Sequence, residues 1–304
     1  MITACSSATP DAASTSVAVA PTTVPTVVTT STTAPTTSTS TVPTTTTLPG
    51  DWADLPVVAI VLADGVALGW WDGANWIRVD ESTELPLSDV RDFQVALLGA
   101  TGLVTSGSPN DHACAVSGEP QPGVTFDDLD SLYTYIDDGE GSDRLVFGVG
   151  ISAGWELTPR PVERGEAHPD LEAVAIDLLG ERGMDIERPA IVQVVDVDLD
   201  GDGAIESIVV AEETHLANDT SGVYSIVFAL SPSWETPRIV DSSVIPESET
   251  GFPVSFRVSA VADLSGDGVM EVMLDGMVWE GSGVGVYELT SSGFESRLIG
   301  GCGF

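Results

Sequence analysis

The chain has no lysine. All ten basic residues among its 304 are arginine, against 47 Asp and Glu, which leaves a formal net charge of −37. Binding nucleic acid or anionic lipid depends on neutralising phosphate with Lys and Arg, so a field this negative excludes nucleic acid as a partner and disfavours an anionic membrane surface. It suits divalent cations, a saline environment or simple solubility. Histidine is scarce too, and His112, His168 and His215 are scattered without zinc-ligand spacing. No phosphate-binding loop or dinucleotide fingerprint is present. No apolar run reaches the ~18–20 residues that span a bilayer; the longest, Val57 to Trp71, is interrupted by Asp64-Gly65, which reads as a turn.

Charge is missing from one region above all. Residues 1–50 hold a single charged side chain, Asp11, and from Ser6 to Gly50 the chain is almost wholly Thr, Pro, Ser, Ala and Val. Such a tract buries too little apolar surface to offset chain entropy, so 6–50 is expected to be a disordered, PPII-like linker. Extended at about 3.1 Å per residue, it would hold a domain roughly 100 Å or more from an anchor. Ile2-Thr3-Ala4-Cys5 resembles the bacterial lipobox, an aliphatic and two small residues before a cysteine that becomes lipidated. Cysteine, Thr/Pro tether and folded domain in that order resemble a surface lipoprotein lipid-anchored at Cys5. A lipoprotein signal also carries a basic segment and an apolar segment before the cysteine, so this reading implies a start codon upstream of Met1. Cytoplasmic residence is the alternative.

Two further cysteines, Cys114 and Cys302, complete the set of three. In an exported protein they are expected to form one disulfide joining the C-terminal strand to the N-terminal half. Two buried thiols are the alternative.

From residue 51 the chain is rich in Val, Ile, Gly and Trp and poor in helix formers, which points to β structure. Within it lies VVDVDLDGDGAIESIVVAE (194–212). Numbered from Asp198, oxygen side chains fall at positions 1, 3 and 5 (Asp198, Asp200, Asp202), glycine at 6 (Gly203) and Glu206 at 9. The carbonyl of Ala204 at position 7 adds a ligand. Hard cations that take six to eight oxygens, Ca²⁺ above all, match this pattern. An EF-hand needs its bidentate Glu at position 12 between two helices, whereas Val209 stands there in a β-branched run. The pattern recurs 65 residues on: ADLSGDGVMEVMLDG places Asp263, Ser265, Asp267, Gly268, Val269 and Glu271 at positions 1, 3, 5, 6, 7 and 9. The surroundings repeat as well. SGVYSIVFAL (221–230) parallels SGVGVYELT (282–290), and WETPRIV (234–240) parallels FESRLI (294–299). A strand-built repeat of this length predicts a propeller-like or other repetitive β architecture.

The two loops, each followed by an apolar strand, resemble FG-GAP or VCBS-type repeats, as found in integrin α-subunits. In that family a D-x-D-x-D-G-x-x-D loop binds Ca²⁺ within a β-propeller blade. The resemblance covers about 190–300. Glu replaces the last Asp in both loops, and Ser265 replaces Asp at position 3 of the second. It implies two Ca²⁺ ions with a structural role. More loosely, the loops, the YEL near the end and the terminal GCG resemble a group of secreted bacterial proteins.

Before the loops, VVAIVLADGVALGWWDGANWIRV (57–79) reads as three strands with turns at Asp64-Gly65 and Asp72-Gly73, a degenerate blade without its calcium loop. Further strands are expected at 93–105 and 145–152. One helix is legible in HPDLEAVAIDLLGERGM: Pro169 in the first turn, a stripe of Leu171, Val174, Leu178 and Leu179, and Gly183 as C-cap, placed as a bridge between the halves. Trp70, Trp71 and Trp76 serve either a hairpin core or a sugar-stacking face. Gly150-Ile151-Ser152-Ala153-Gly154 matches the nucleophile elbow G-x-S-x-G after a strand. An elbow runs into a helix, and here WELTPRPVE with two prolines follows.

The expectation is therefore a lipobox remnant (1–5), a disordered linker (6–50), an N-terminal β region (51–165), and a helix with two calcium-loop repeats (166–304). The class is mainly β and propeller-like with one helix. The expected role is a non-catalytic binding, adhesive or scaffold module, extracytoplasmic and either lipid-anchored or secreted. Its partner would be a protein or glycan, and membrane contact would come only through Cys5. The alternative is an extracytoplasmic hydrolase using Ser152.

Overall fold

Alternation of apolar side chains with period two builds antiparallel sheets that stack face to face. The structure, a computed structural model, describes residues 59–63, 66–79, 91–98, 100–114, 121–126, 133–137, 143–214, 220–279 and 281–303, all within one unit, Thr46–Phe304. Cys5, the 6–50 linker, His215 and the Asp64-Gly65 turn lie outside the described residues, as do the side chains of His112, Cys114 and Cys302.

The N-terminal strands are β1 (Ala59–Ala63), β2 (Val66–Trp71), β3 (Trp76–Arg78), β4 (Arg91–Leu97), β5 (Ala100–Cys114), β6 (Gln121–Phe126), a separate hairpin of β7 (Tyr133–Asp137) and β8 (Asp143–Phe147), and β9 (Val149–Ile151). These satisfy the strands expected at 57–79, 93–105 and 145–152. The expectation of a degenerate blade at 57–79 is corrected. The sheet order is β1-β9-β4-β5-β6-β2-β3, and β1 also pairs with β2, so six strands pair in a closed circuit with β3 appended. The hairpin at Asp72 forms as expected, its carboxylate accepting the N–H groups of Ala74 and Asn75. Trp71 and Trp76 meet at 5.2 Å and pack against the core, the hairpin-core use.

Next come β10 (Val162–Arg164), α1 (Pro169–Gly180), β11 (Ile191–Val197), β12 (Glu206–Glu213), β13 (Val223–Leu230) and β14 (Arg238–Ile245), whose strands form a five-stranded sheet in sequence order. Then β15 (Ser255–Ala262), β16 (Glu271–Val278), β17 (Gly281–Thr290) and β18 (Gly293–Gly303) form a four-stranded meander. The chain is thus mainly β with one helix among the described residues. No closed propeller is found among them.

The four-stranded sheet is the middle layer. Along β16, Val272 and Leu274 face the five-stranded sheet while Met273 faces the N-terminal one. Every residue of β15 is buried, as expected for a strand covered on both faces. On its far side the five-stranded sheet carries α1. Leu171, Leu178 and Leu179 pack there on Val209, Tyr224 and Phe228, so the helix caps this sheet and does not bridge the halves. Pro169 starts the helix as expected, but the C-cap is Glu181 and not Gly183, which lies two residues beyond and at φ +81° lets the Met184 N–H reach back to the Leu179 carbonyl. That helix does not approach the length and apolarity of a membrane span, nor does any other among the described residues.

Two consecutive meanders, β11–β14 and β15–β18, each carry an acidic loop that joins their first two strands. In each meander one strand precedes the loop. Ser207 pairs with Leu230 and Val272 with Tyr287, which makes Leu230 and Tyr287 counterparts. The parallel between Ser221 and Ser282 is thus out of register with the sheets. The turn between the second and third strands differs in length between the units, and the matching SGV letters hide that difference.

Candidate metal centre

Each loop leaves one strand and enters the next through the same backbone path. Positions 4 and 6 are glycines in the left-handed region: Gly201 (φ +78°) and Gly203 (+88°), Gly266 (+75°) and Gly268 (+88°). Only glycine adopts these values without strain. With the chain so bent, the position-1 carboxylate caps the loop from inside. Asp198 accepts the N–H groups of Gly201 (2.7 Å) and Gly203 (3.2 Å), and Asp263 those of Gly266 (2.6 Å) and Gly268 (3.0 Å). Position 5 repeats too, Asp202 accepting from Ala204 and Asp267 from Val269. At position 9, Glu206 and Glu271 open β12 and β16 and accept the N–H of the position-2 leucines, Leu199 (2.8 Å) and Leu264 (2.6 Å). Those leucines are fully buried and root each loop in the core. The leucine shared at position 2 was a sequence signal that the ligand count passed over.

Oxygens converge at the first loop. One carboxylate oxygen each from Asp198, Asp200 and Glu206 lies within 4.8 Å of the others, and this is the one such trio of side chains able to hold a metal among the described residues. Asp202 belongs to the loop but stands outside the trio, and Asp263, Asp267 and Glu271 do not form a matching group. The second loop differs in another way. Its Asp263 and Ser265 are buried, and among the described residues both Ser265 Oγ and Glu271 Oε1 are enclosed without a hydrogen-bond partner. The corresponding oxygen of Glu206 is satisfied by the Ser231 hydroxyl at 2.7 Å. A buried carboxylate oxygen with no donor is costly, and it is the kind of acceptor a cation would satisfy.

Burial raises the proton affinity of the deepest carboxylates. Glu206 titrates above its ordinary range because burial outweighs its bonds to Ser231 and Leu199, with Asp200 and Asp202 adding like charge. Asp263 is raised by burial against the bonds from Gly266 and Gly268. Glu271 is raised furthest, by full burial and then by Asp263 and Asp267. The nearby cation does not relieve them, since Arg160 donates to backbone carbonyls: Asp198, Leu199 at 2.8 Å and Gly268 at 2.6 Å. Arg160 carries no spacing signal relative to either loop, and sequence reasoning missed it.

Ser152 lies just past β9 and is buried, at 2% exposure; the chain runs on without helix until Pro169. The strand-to-helix turn of a nucleophile elbow is not formed there. His168 stands at the N-cap position of α1 in an extended conformation, its side chain making no capping hydrogen bond.

Comparison of the chain with family models, curated proteins and solved structures finds no match.

Proposed function

We propose that the chain is a calcium-stabilised β-repeat module with a non-catalytic role in binding, adhesion or scaffolding. The observation that carries the reading is the convergence of the Asp198, Asp200 and Glu206 oxygens within 4.8 Å, on a loop whose hydrogen bonds recur position by position at 263–271. Asp198, Asp200, Asp202, the Ala204 carbonyl and Glu206 would hold one ion. Asp263, Ser265, Asp267, the Val269 carbonyl and Glu271 would hold a second. All are hard oxygen donors, as Ca²⁺ requires, and the orphaned Ser265 and Glu271 oxygens fit the group.

The ion's role here is structural. It offsets repulsion within each carboxylate cluster and fixes the hairpin that joins two core strands, so that binding contributes to folding. Two successive four-stranded meanders with stacked faces favour a propeller-like, FG-GAP/VCBS-type arrangement of these units. The Thr/Pro-rich 6–50 segment and Cys5 fit display outside the cytoplasm on a lipid anchor, or secretion. A protein or glycan would be the partner.

Equilibrium dialysis of the full chain against about 1 mM calcium, in the range of extracellular sites, is expected to give two bound ions. No bound calcium at that level would sink the proposal.

A further inference from the structure

Between β9 and β10 the segment 155–160 runs across both loops and touches each. Trp155 Nε1 donates to the Asp263 carbonyl at 2.8 Å. Its ring lies within 3.0–3.3 Å of where a Cβ on Gly266 would stand, so that glycine is needed for contact as well as for its φ. The Leu157 carbonyl takes the Asp263 N–H at 2.7 Å. The strap thus seats the second loop at its first residue.

Arg160, at the strap's end, reaches both loops with one guanidinium. Nε donates to the Asp198 carbonyl, and Nη2 donates to Leu199 in the first loop and Gly268 in the second. Nη1 lies 3.1 Å from where a Cβ on Gly201 would stand. The loops also touch directly, the Met270 N–H donating to the Leu199 carbonyl at 2.8 Å.

These carbonyls belong to peptide planes that also set the ligands. The Asp198–Leu199 peptide is held by Arg160 at its carbonyl and by Glu206 at its N–H. The Leu199–Asp200 peptide, which aims Asp200, is held by Arg160 and Met270. In the second loop, the Gly268–Val269 peptide gives its carbonyl to Arg160 and its N–H to Asp267. Ligand-bearing peptides of both loops therefore share one planar donor, whose fixed fork lysine's single ammonium cannot reproduce.

We infer that the two loops form one coupled cation centre, with Arg160 as the positioning residue that links occupancy of one loop to affinity at the other. The inference rests on the calcium reading. Ordering the first loop around an ion fixes the Asp198 and Leu199 carbonyls, and through Arg160 the Gly268 peptide. The second loop then binds an already ordered site, which gives positive coupling. By linkage the effect is the same in both directions, and about tenfold is within the usual range. The independent mark of a ligand at the second loop is the pair of buried oxygens, Ser265 Oγ and Glu271 Oε1, that have no hydrogen-bond partner among the described residues.

The test is calorimetric titration of the full chain with calcium alone, in six forms: unaltered, Asp198→Asn, Asp263→Asn, Arg160→Lys, and Arg160→Lys combined with each Asn. Near-UV circular dichroism checks the fold, and Asp202→Asn, at an exposed position, replaces Asp198→Asn should that variant unfold. The expected result is two ions bound with positive cooperativity. Each Asn variant should weaken the remaining loop about tenfold, by the same factor from either side. In the Arg160→Lys background both loops should still bind, and the Asn substitutions should affect the opposite loop much less, the direct Met270–Leu199 contact being all that remains. Two independent ions in the unaltered chain, or coupling undiminished in the Arg160→Lys background, overturns the inference while leaving the calcium reading standing. A folded chain that takes up no calcium removes both.

Discussion

Glu206 and Glu271 hold the same place in their two loops. Each opens a strand with its side chain fully buried, and each takes the N–H of a buried leucine seven residues earlier. Their difference lies at the other oxygen, which Ser231 satisfies for Glu206 and nothing among the described residues satisfies for Glu271. A neutral isostere should therefore act oppositely with and without metal. Glu271→Gln should raise the metal-free melting midpoint, by about 2–4 °C for each kcal/mol gained, and reduce the rise that calcium gives. Glu206→Gln should show the same pattern with a smaller metal-free gain. A lower metal-free midpoint for Glu271→Gln would count against an uncompensated charge at that site.

The pH dependence has a definite sign. Glu206 and Glu271 are raised above 4.5 and Asp263 above 3.8, each chiefly by burial. The folded chain therefore keeps protons that the unfolded chain releases. That stabilisation is fully present below the unfolded values, near pH 4, and is lost as pH rises through the raised folded values. Metal-free stability should fall from about pH 4 toward neutrality, while calcium, which needs the ionised forms, should flatten the curve and release protons on binding. Melting midpoints across that range, with and without EDTA, check both. A metal-free midpoint that climbs with pH would contradict the burial argument.

Leu199 and Leu264 test whether the loops are rooted in the core independently of metal. Both are 0% exposed, Leu199 between the five- and four-stranded sheets and Leu264 between the four-stranded and N-terminal sheets. Leu→Ala at either should cost about 2–5 kcal/mol, read by urea unfolding, and the loss should be similar with calcium and with EDTA.

How much of this was legible depends on whether a contact leaves a periodic trace. The helix was, because Leu171, Leu178 and Leu179 fall on one face; its position was not, because which sheet covers that face depends on tertiary packing. The loops were legible because alternate residues of a tight turn must carry oxygen and the bends must carry glycine. Arg160 was invisible, since a guanidinium bonded to carbonyls 38, 39 and 108 residues away imposes no spacing. The closed strand circuit was hidden for the same reason: β1 pairs with both β2 and β9, and a strand's alternation does not name its neighbours.

A buried ion pair joins the two meanders and escaped the sequence reading as well. Arg257 on β15 lies 3.0 Å from Glu212 on β12, with side chains 4% and 9% exposed, and Glu212 also accepts from Ser225 and Ser255. Glu212→Ala takes the Glu212 carboxylate away from a buried guanidinium and should cost up to about 3–5 kcal/mol. Combining it with Arg257→Met should recover much of that loss. Urea midpoints of the three variants, including Arg257→Met alone, decide whether the pair acts as a unit.

The central claim is that the two acidic loops are structural calcium sites. Thermal unfolding of the full chain in about 1 mM calcium and in EDTA, repeated with Asp198→Ala and Glu206→Ala, tests it most directly. The account predicts a higher midpoint in calcium and a smaller gain in each variant, since the second loop keeps its own ion. Identical midpoints with and without metal would contradict it, leaving the loops as hairpin turns held by their own hydrogen bonds.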